Sequence, residues 1–210
     1  MAVLREIVAA RPWAASLAGA LLFVSLYAPT AAADAAEAES FVRALADDAT
    51  ALLSNPELTD EQQISEFRSL IEDRFDVPVV GRFALGPYWR AASESQRSEY
   101  LTVFLDYIVS TYALRFRQFS DETLQVNGSR EINEMEAIVS SVIVRPAAED
   151  IFVDWHVRNT NAGYKVIDVL FEGLRLALTL RDEFSTVIRA GGGDLGVLIE
   201  NLRDRGAGSA

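Results

Sequence analysis

Asp154 and His156 stand two residues apart in the segment Ile151-Phe152-Val153-Asp154-Trp155-His156-Val157-Arg158. On an extended strand that spacing puts an acid and a base on one face, where they could exchange a proton. Their neighbours on that face are Phe152 and Arg158, which makes a solvated sheet surface the weightier reading. Asp168 is the other carboxylate of interest, because it interrupts the apolar run Val166-Ile167-Asp168-Val169-Leu170. In apolar surroundings its pKa would rise and it could act as a general base. A part-buried Asp paired with an arginine is the commoner arrangement. Arg82, Arg90 and Arg181 are the available partners, and a structural Asp168–Arg181 ion pair is favoured. Gly191-Gly192-Gly193 follows a helical segment and has no Lys-Ser or Lys-Thr after it, so it reads as helix termination and not as a phosphate loop. No Gly-x-Ser-x-Gly elbow occurs anywhere.

Composition narrows the chemistry further. The 210 residues include 31 acidic and 19 basic side chains, one His and no Cys, for a net charge of -12. Phosphate backbones want a basic face, so nucleic acid is excluded as a partner. Thiolate zinc sites, Fe–S clusters, disulfides and a cysteine nucleophile all require Cys, and a single His excludes a multi-His centre. No catalytic residue, metal or cofactor is expected.

The elements that hold these residues are legible as changes of period. Phe41, Leu45 and Leu52 recur at helical spacing from Glu37 to Ser54, and Asn55-Pro56 ends that helix. Thr59 with Gln62 forms a capping box before Ile64, Phe67, Leu70, Ile71 and Phe75. Pro78, Gly81 and Gly86-Pro87 predict short turns between Asp76 and Arg90. Ser93 with Gln96 opens a long helix to about Phe119, whose broad apolar arc implies burial from two sides. Near Asp121 the period becomes 2, with strands at 123–128, 134–145, 151–158 and 164–171. Residues 159–163 read as a five-residue hairpin connection. A helix through Leu176, Leu180, Phe184 and Ile188 follows, then a short one through Leu195, Leu198 and Leu202, with a frayed tail from Arg205. Helices, then strands, then helices describe one α+β domain over residues 34–210, with helices packed over a curved antiparallel sheet of about four strands.

Residues 1–33 differ in kind. Arg5 and Arg11 precede 22 uncharged residues, Pro12 to Ala33, with an apolar centre and an Ala31-Ala32-Ala33 end. This is the pattern of a secretory signal peptide, with an uncleaved anchor as the rival. Its removal leaves 17 basic and 30 acidic residues.

Large apolar groups, rather than polar ones, stand out in the remainder. Aromatic side chains cluster on the elements that would face each other across a helix-on-sheet core, which describes either a filled core or a dry cavity for an apolar ligand. The stretch Phe75-Asp76-Val77-Pro78 through Leu85-Gly86-Pro87-Tyr88-Trp89-Arg90-Ala91-Ala92-Ser93-Glu94-Ser95-Gln96-Arg97 resembles the MlaC, or toluene-tolerance auxiliary, family. A second block, Tyr164-Lys165-Val166-Ile167-Asp168-Val169 with Glu172-Gly173 and then Arg181 and Phe184, is similar to that family's later motif. Tyr164, Arg175 and Leu180 stand where the family pattern has Trp, Ser and Tyr. The resemblance covers about residues 37 to 204.

The resemblance implies a periplasmic carrier that buries phospholipid acyl chains in an apolar cavity between sheet and helices. Its implied partners are an inner-membrane ABC transporter complex with its substrate-binding subunit and an outer-membrane lipoprotein complex, and it is expected to be a monomer. A hopanoid-associated branch of the family is an alternative, as is an enzyme on a similar scaffold with Asp168 as base. The implied lipid contacts are Phe75, Phe83, Trp89, Phe104, Ile108 and Tyr112 from the helices, and Val153, Trp155, Val166 and Leu170 from the strands. Arg82, Arg90 and Arg181 serve either as partners of Asp168 or as mouth residues near a phosphate.

Overall fold

Asp34 starts the first helix, because its Oδ1 accepts the amides of Ala36 and Glu37 at 2.8 and 3.3 Å. The computed structural model describes residues 34–116, 122–146 and 148–207. Residues 1–33, read above as a signal peptide or anchor, lie outside the described residues, as do residues 117–121 at the expected end of the long helix.

Helix α1 spans Ala35–Leu53 and α2 spans Asp60–Arg74. The Thr59–Gln62 capping box forms in both directions. The segment read as turns is instead helical, with α3 at Val77–Leu85 and α4 at Tyr88–Ala91. Pro78 belongs to the first turn of α3, where a missing N–H costs nothing, and Asp76 caps it through the Val79 amide at 3.2 Å. Gly81 does not break α3 either. It is the contact point with the long helix: a Cβ there would lie 2.8 Å from Leu101 and 3.2 Å from Phe104. Gly86, at φ 60, ends the helix.

Helix α5 (Glu94–Phe116) follows the Ser93–Gln96 box, in which both bonds are made at 3.0 and 3.2 Å. Then come β1 (Thr123–Asn133), β2 (Glu136–Val144), β3 (Ile151–Thr160), β4 (Gly163–Phe171) and β5 (Leu174–Arg175), antiparallel in sequence order. The fifth strand is two residues long, too short to show as a period. The β3–β4 connection is tighter than the five residues expected: Thr160 pairs with Gly163, leaving only Asn161 and Ala162 between them. Register shifts in β1 and opposite His156/Val157 bend the sheet.

Helices α6 (Leu176–Ala190) and α7 (Leu195–Ala207) complete the fold. The tail does not fray at Arg205. This residue bonds Glu183 at 2.5 Å and the Tyr107 hydroxyl at 2.8 Å, which ties α7 to α6 and α5. Among the described residues, no helix is long and apolar enough to cross a membrane.

Three buried clusters result. One joins α3, α5, α6 and α7 around Tyr100, Phe104, Phe184 and Leu198. Another seats Ala38, Val42 and Leu45 of α1 on Val139, Val153, Val157 and Val166 of the sheet. The third joins α2 to α5 through Phe67, Ile71, Val109 and Ala113.

Candidate functional site

The three clusters meet at an apolar slot of about 50 Å³. Its walls are Ile71 and Phe75 from the end of α2, Val77 and Val80 from α3, and Phe104, Leu105 and Ile108 from α5. Leu176, Ala177 and Leu180 of α6 and Asp168 and Val169 of β4 close it. A clasp beside it joins the α2–α3 junction to the sheet: Phe75 bridges Val166, and the Asp76 amide donates to the Val166 carbonyl at 2.9 Å.

Asp168 sits in this wall with its side chain 3% exposed. Its Oδ2 receives Arg175 Nε at 2.6 Å, and its Oδ1 accepts the Val169 amide at 2.9 Å and the Ala177 amide at 3.2 Å. The expected Asp168–Arg181 pair is therefore corrected to Asp168–Arg175. The β4–β5 hairpin returns Arg175 alongside the carboxylate, opposite Leu170. Arg181, further along α6, places its guanidinium over the Phe83 ring, 5.7 Å from the centroid. Both carboxylate oxygens are engaged in holding the start of α6, a helix whose own cap residue supplies no side-chain bond.

On the other side of α3 lies a larger cleft of about 490 Å³, lined by Val79, Arg82, Phe83, Gly86, Pro87, Trp89, Arg90, Arg158 and Arg181. The same two helices therefore serve both spaces. Helix α3 turns Val77 and Val80 to the slot and Val79, Arg82 and Phe83 to the cleft, while α6 gives Leu180 to one and Arg181 to the other.

The residues expected to line one cavity are distributed. Phe75, Phe104 and Ile108 meet at the slot, while Phe83 and Trp89 belong to the cleft. Tyr112 packs beside the α2–α5 cluster. Val153 and Val166 are buried under α1, with Trp155 packed against the same cluster. Trp155 Nε1 donates to Ser141 Oγ at 3.0 Å, and Ser141 donates onward to the Val153 carbonyl. Leu170 pairs with Asp154 on the opposite face of the sheet from Val153 and Trp155, so it does not join them. On that opposite face His156 bonds Glu136 at 2.9 Å rather than Asp154. Burial alone would raise the Glu136 carboxyl, but hydrogen bonds and charge from Arg158 and His156 hold it below the usual glutamate range. The face is thus less solvated than the alternation of residues implied.

Sequence reasoning missed Val77, Val80, Leu176 and Ala177 in the slot and Arg158 in the cleft. For the first two the available signal was Asp76-Val77-Pro78, a cap followed by an early-turn proline.

The family model described as MlaC protein matches residues 43–204. The chain belongs to the MlaC family. Its fold is similar to that of a phospholipid-binding protein from Ralstonia solanacearum, solved in complex with a phospholipid at 1.53 Å resolution. The TM-score is 0.72 at 24% identity, covering 82% of this chain and 98% of that one. Likeness at this identity concerns the fold.

The motifs that carried the resemblance to MlaC are mostly architectural. Asp76 caps α3, and Ser93 with Gln96 opens α5. Arg97 donates to the Trp89 carbonyl at 2.9 Å and stacks on its ring at 5.4 Å. Phe184 is fully buried, edge-on to Tyr100 and Phe104. In this MlaC-family chain, Arg175, a departure from the family pattern, is the residue that takes Asp168.

Proposed function

We propose that this chain is a periplasmic phospholipid carrier and not an enzyme, with acyl chains entering between α3, α6 and β4. The observation that carries the reading is the position of the apolar slot. Its walls come from all three buried clusters, so it lies at the seam where they meet. Ligand pockets run to about 300–1,000 Å³, so a slot of about 50 Å³ must widen to admit a chain. Each buried methylene contributes about 0.8 kcal/mol, or on the order of 12 kcal/mol gross for a chain of roughly sixteen carbons.

Membership of the MlaC family and a fold shared with a phospholipid-binding protein support the same reading. The environment of Asp168 argues against a general base, since both oxygens already hold Arg175 and the first turn of α6. Export follows from residues 1–33, and the cargo passes between an inner-membrane ABC-type complex and an outer-membrane lipoprotein complex. With 31 acidic residues against 19 basic, the chain is repelled by anionic bilayers and does not linger on them.

Transfer of a fluorescent phospholipid from vesicles to the purified chain tests the carrier reading. Saturable uptake supports it, and no uptake by folded protein overturns it. N-terminal sequencing of exported protein tests the leader, with a start near Asp34 expected.

A further inference from the structure

Asp34 is tied down by its backbone as well as by its side chain. Its N–H donates to the Tyr164 hydroxyl at 2.7 Å, and that hydroxyl donates back to the Asp34 carbonyl at 3.1 Å. The same carbonyl accepts the Ala38 amide at 2.9 Å, and the carboxylate caps the amides of Ala36 and Glu37. Tyr164 stands 130 residues away on β4, its ring buried and 6.0 Å from that of Phe41. Ser129 of β1 adds a second tie, donating to the Ala35 carbonyl at 2.9 Å. None of these bonds needs a residue before Asp34, and a chain cut after Asp34 would lose the cap and both Tyr164 bonds together.

The sequence carries a processing signal at the same bond. Ala31-Ala32-Ala33 is the small-residue end of a leader, and Asp34 follows it directly. Hydrolysis of the Ala33–Asp34 amide by a leader peptidase consumes one water, leaves a carboxylate on Ala33 and converts the Asp34 nitrogen into an ammonium. That nitrogen then has three N–H donors in place of one, and it already lies at hydrogen-bond distance from the Tyr164 oxygen.

The surrounding charges suit a cation. Burial raises the Tyr164 phenol above its usual pKa, the Asp34 backbone bond opposes the rise, and the charges of Glu37, Asp34 and Glu131 add to it. Carboxylates that disfavour a phenolate favour an ammonium in the same place. Nearby side-chain cations are engaged elsewhere: Lys165 donates to the Asp73 carbonyl, and Arg43 reaches Glu39 and the Val126 carbonyl. The positive end of the α1 dipole opposes an ammonium, and Asp34 and Glu37 beside it offset that repulsion. Tyr164 stands where the MlaC pattern has Trp, whose indole N–H donates but cannot accept. The acceptor is thus this chain's own.

We propose that leader removal cuts the Ala33–Asp34 bond and that the Tyr164 hydroxyl seats the new α-ammonium of Asp34, so that processing adds a charge-assisted link between α1 and β4. The proposal rests on the leader reading above.

Mass spectrometry of the exported chain reads the position of the cut. A mass beginning at Asp34 is expected. A start at any other residue overturns the proposal and leaves the leader standing, whereas an uncut chain overturns both. Acetylation then reads the seat, because the chain from Asp34 onward offers acetic anhydride two amines, the α-amine and the one lysine, Lys165. Asp34 is exposed, so its amine is open to the reagent. Its rate is followed against pH in native and urea-unfolded wild type, by mass spectrometry of the N-terminal peptide. The native midpoint is expected above the unfolded value of about 8, since the protonated amine is the form held. A native midpoint at or below the unfolded one overturns the seat. At pH 7, with Lys165 as internal reference, Tyr164→Phe keeps the ring and loses the acceptor. Its α-amine is expected to react at least about threefold faster than that of wild type, the worth of one part-exposed hydrogen bond. Equal rates in the folded variant overturn the proposal. The native and unfolded wild-type comparison decides by itself, so the outcome does not depend on how Tyr164→Phe folds.

Discussion

Asp168 and Ala177, nine residues apart, are joined where a strand hands over to a helix: the Asp168 Oδ1 accepts the Ala177 amide at 3.2 Å and caps α6 from outside it. The one carboxylate in the apolar wall is thereby a structural bolt. Its second oxygen holds Arg175, itself 44% exposed, so the ion pair adds little beyond the cap.

Replacing Asp168 by Ala removes the acceptor for two buried amides and should lower stability by about 3 kcal/mol. Asp168→Asn keeps an oxygen in place and should cost about 1 kcal/mol. Urea denaturation measures both. Phospholipid uptake per folded molecule should be unchanged in the Asn variant, whereas a general base would lose its activity outright.

Val80 projects from α3 into the slot, so Val80→Trp should fill the path of an acyl chain. The expected loss of labelled-phospholipid uptake is at least about tenfold, with an overpacking cost of about 1–3 kcal/mol in stability. Uptake equal to wild type in folded Val80→Trp protein would place the chains elsewhere.

Glu136 links His156 and Arg158 across the sheet, and its carboxyl is held low by them against the effect of burial. A depressed folded-state pKa contributes stability that is present above the unfolded value of about 4.3 and lost as pH falls through the folded value. Glu136→Gln should therefore be less stable than wild type at neutral pH, by about 1 kcal/mol for a pair of this exposure. The two stabilities should converge below about pH 4, as read from denaturation midpoints across that range.

Tyr100 is fully buried, and its hydroxyl donates to the Gly81 carbonyl at 3.0 Å, pinning α3 to α5. Burial pushes the phenol well above its usual pKa. Stability from the protonated phenol is complete below the unfolded value of about 10 and declines as pH rises past it. Tyr100→Phe should cost about 1 kcal/mol at neutral pH and should blunt the alkaline loss of stability. Thermal melts between pH 8 and 11 would show this.

Period and capping made much of the architecture legible. The Thr59–Gln62 and Ser93–Gln96 boxes marked two helix starts that the structure reproduces, and the change of period near Asp121 marked the sheet. Helix α3 was hidden because Pro78 and Gly81 are poor helix residues in isolation. Here the proline sits in the first turn, and the glycine is needed so that Leu101 and Phe104 can approach. The site was less legible than the fold. Arg175 reaches Asp168 only through the β4–β5 return, and that strand is two residues long. Leu170 lies on the opposite face from Val166, because an extra residue in β4 opposite His156/Val157 shifts the alternation. Convergence of four arginines from α3, α4, β3 and α6 on one cleft is a tertiary fact with no local period.

Native mass spectrometry of the chain purified directly from cells tests the carrier reading most directly. The account predicts a mass increment matching bound phospholipid, released on collisional activation and identified by its fragments. Protein that carries no lipid and also takes up no labelled phospholipid from vesicles would contradict it.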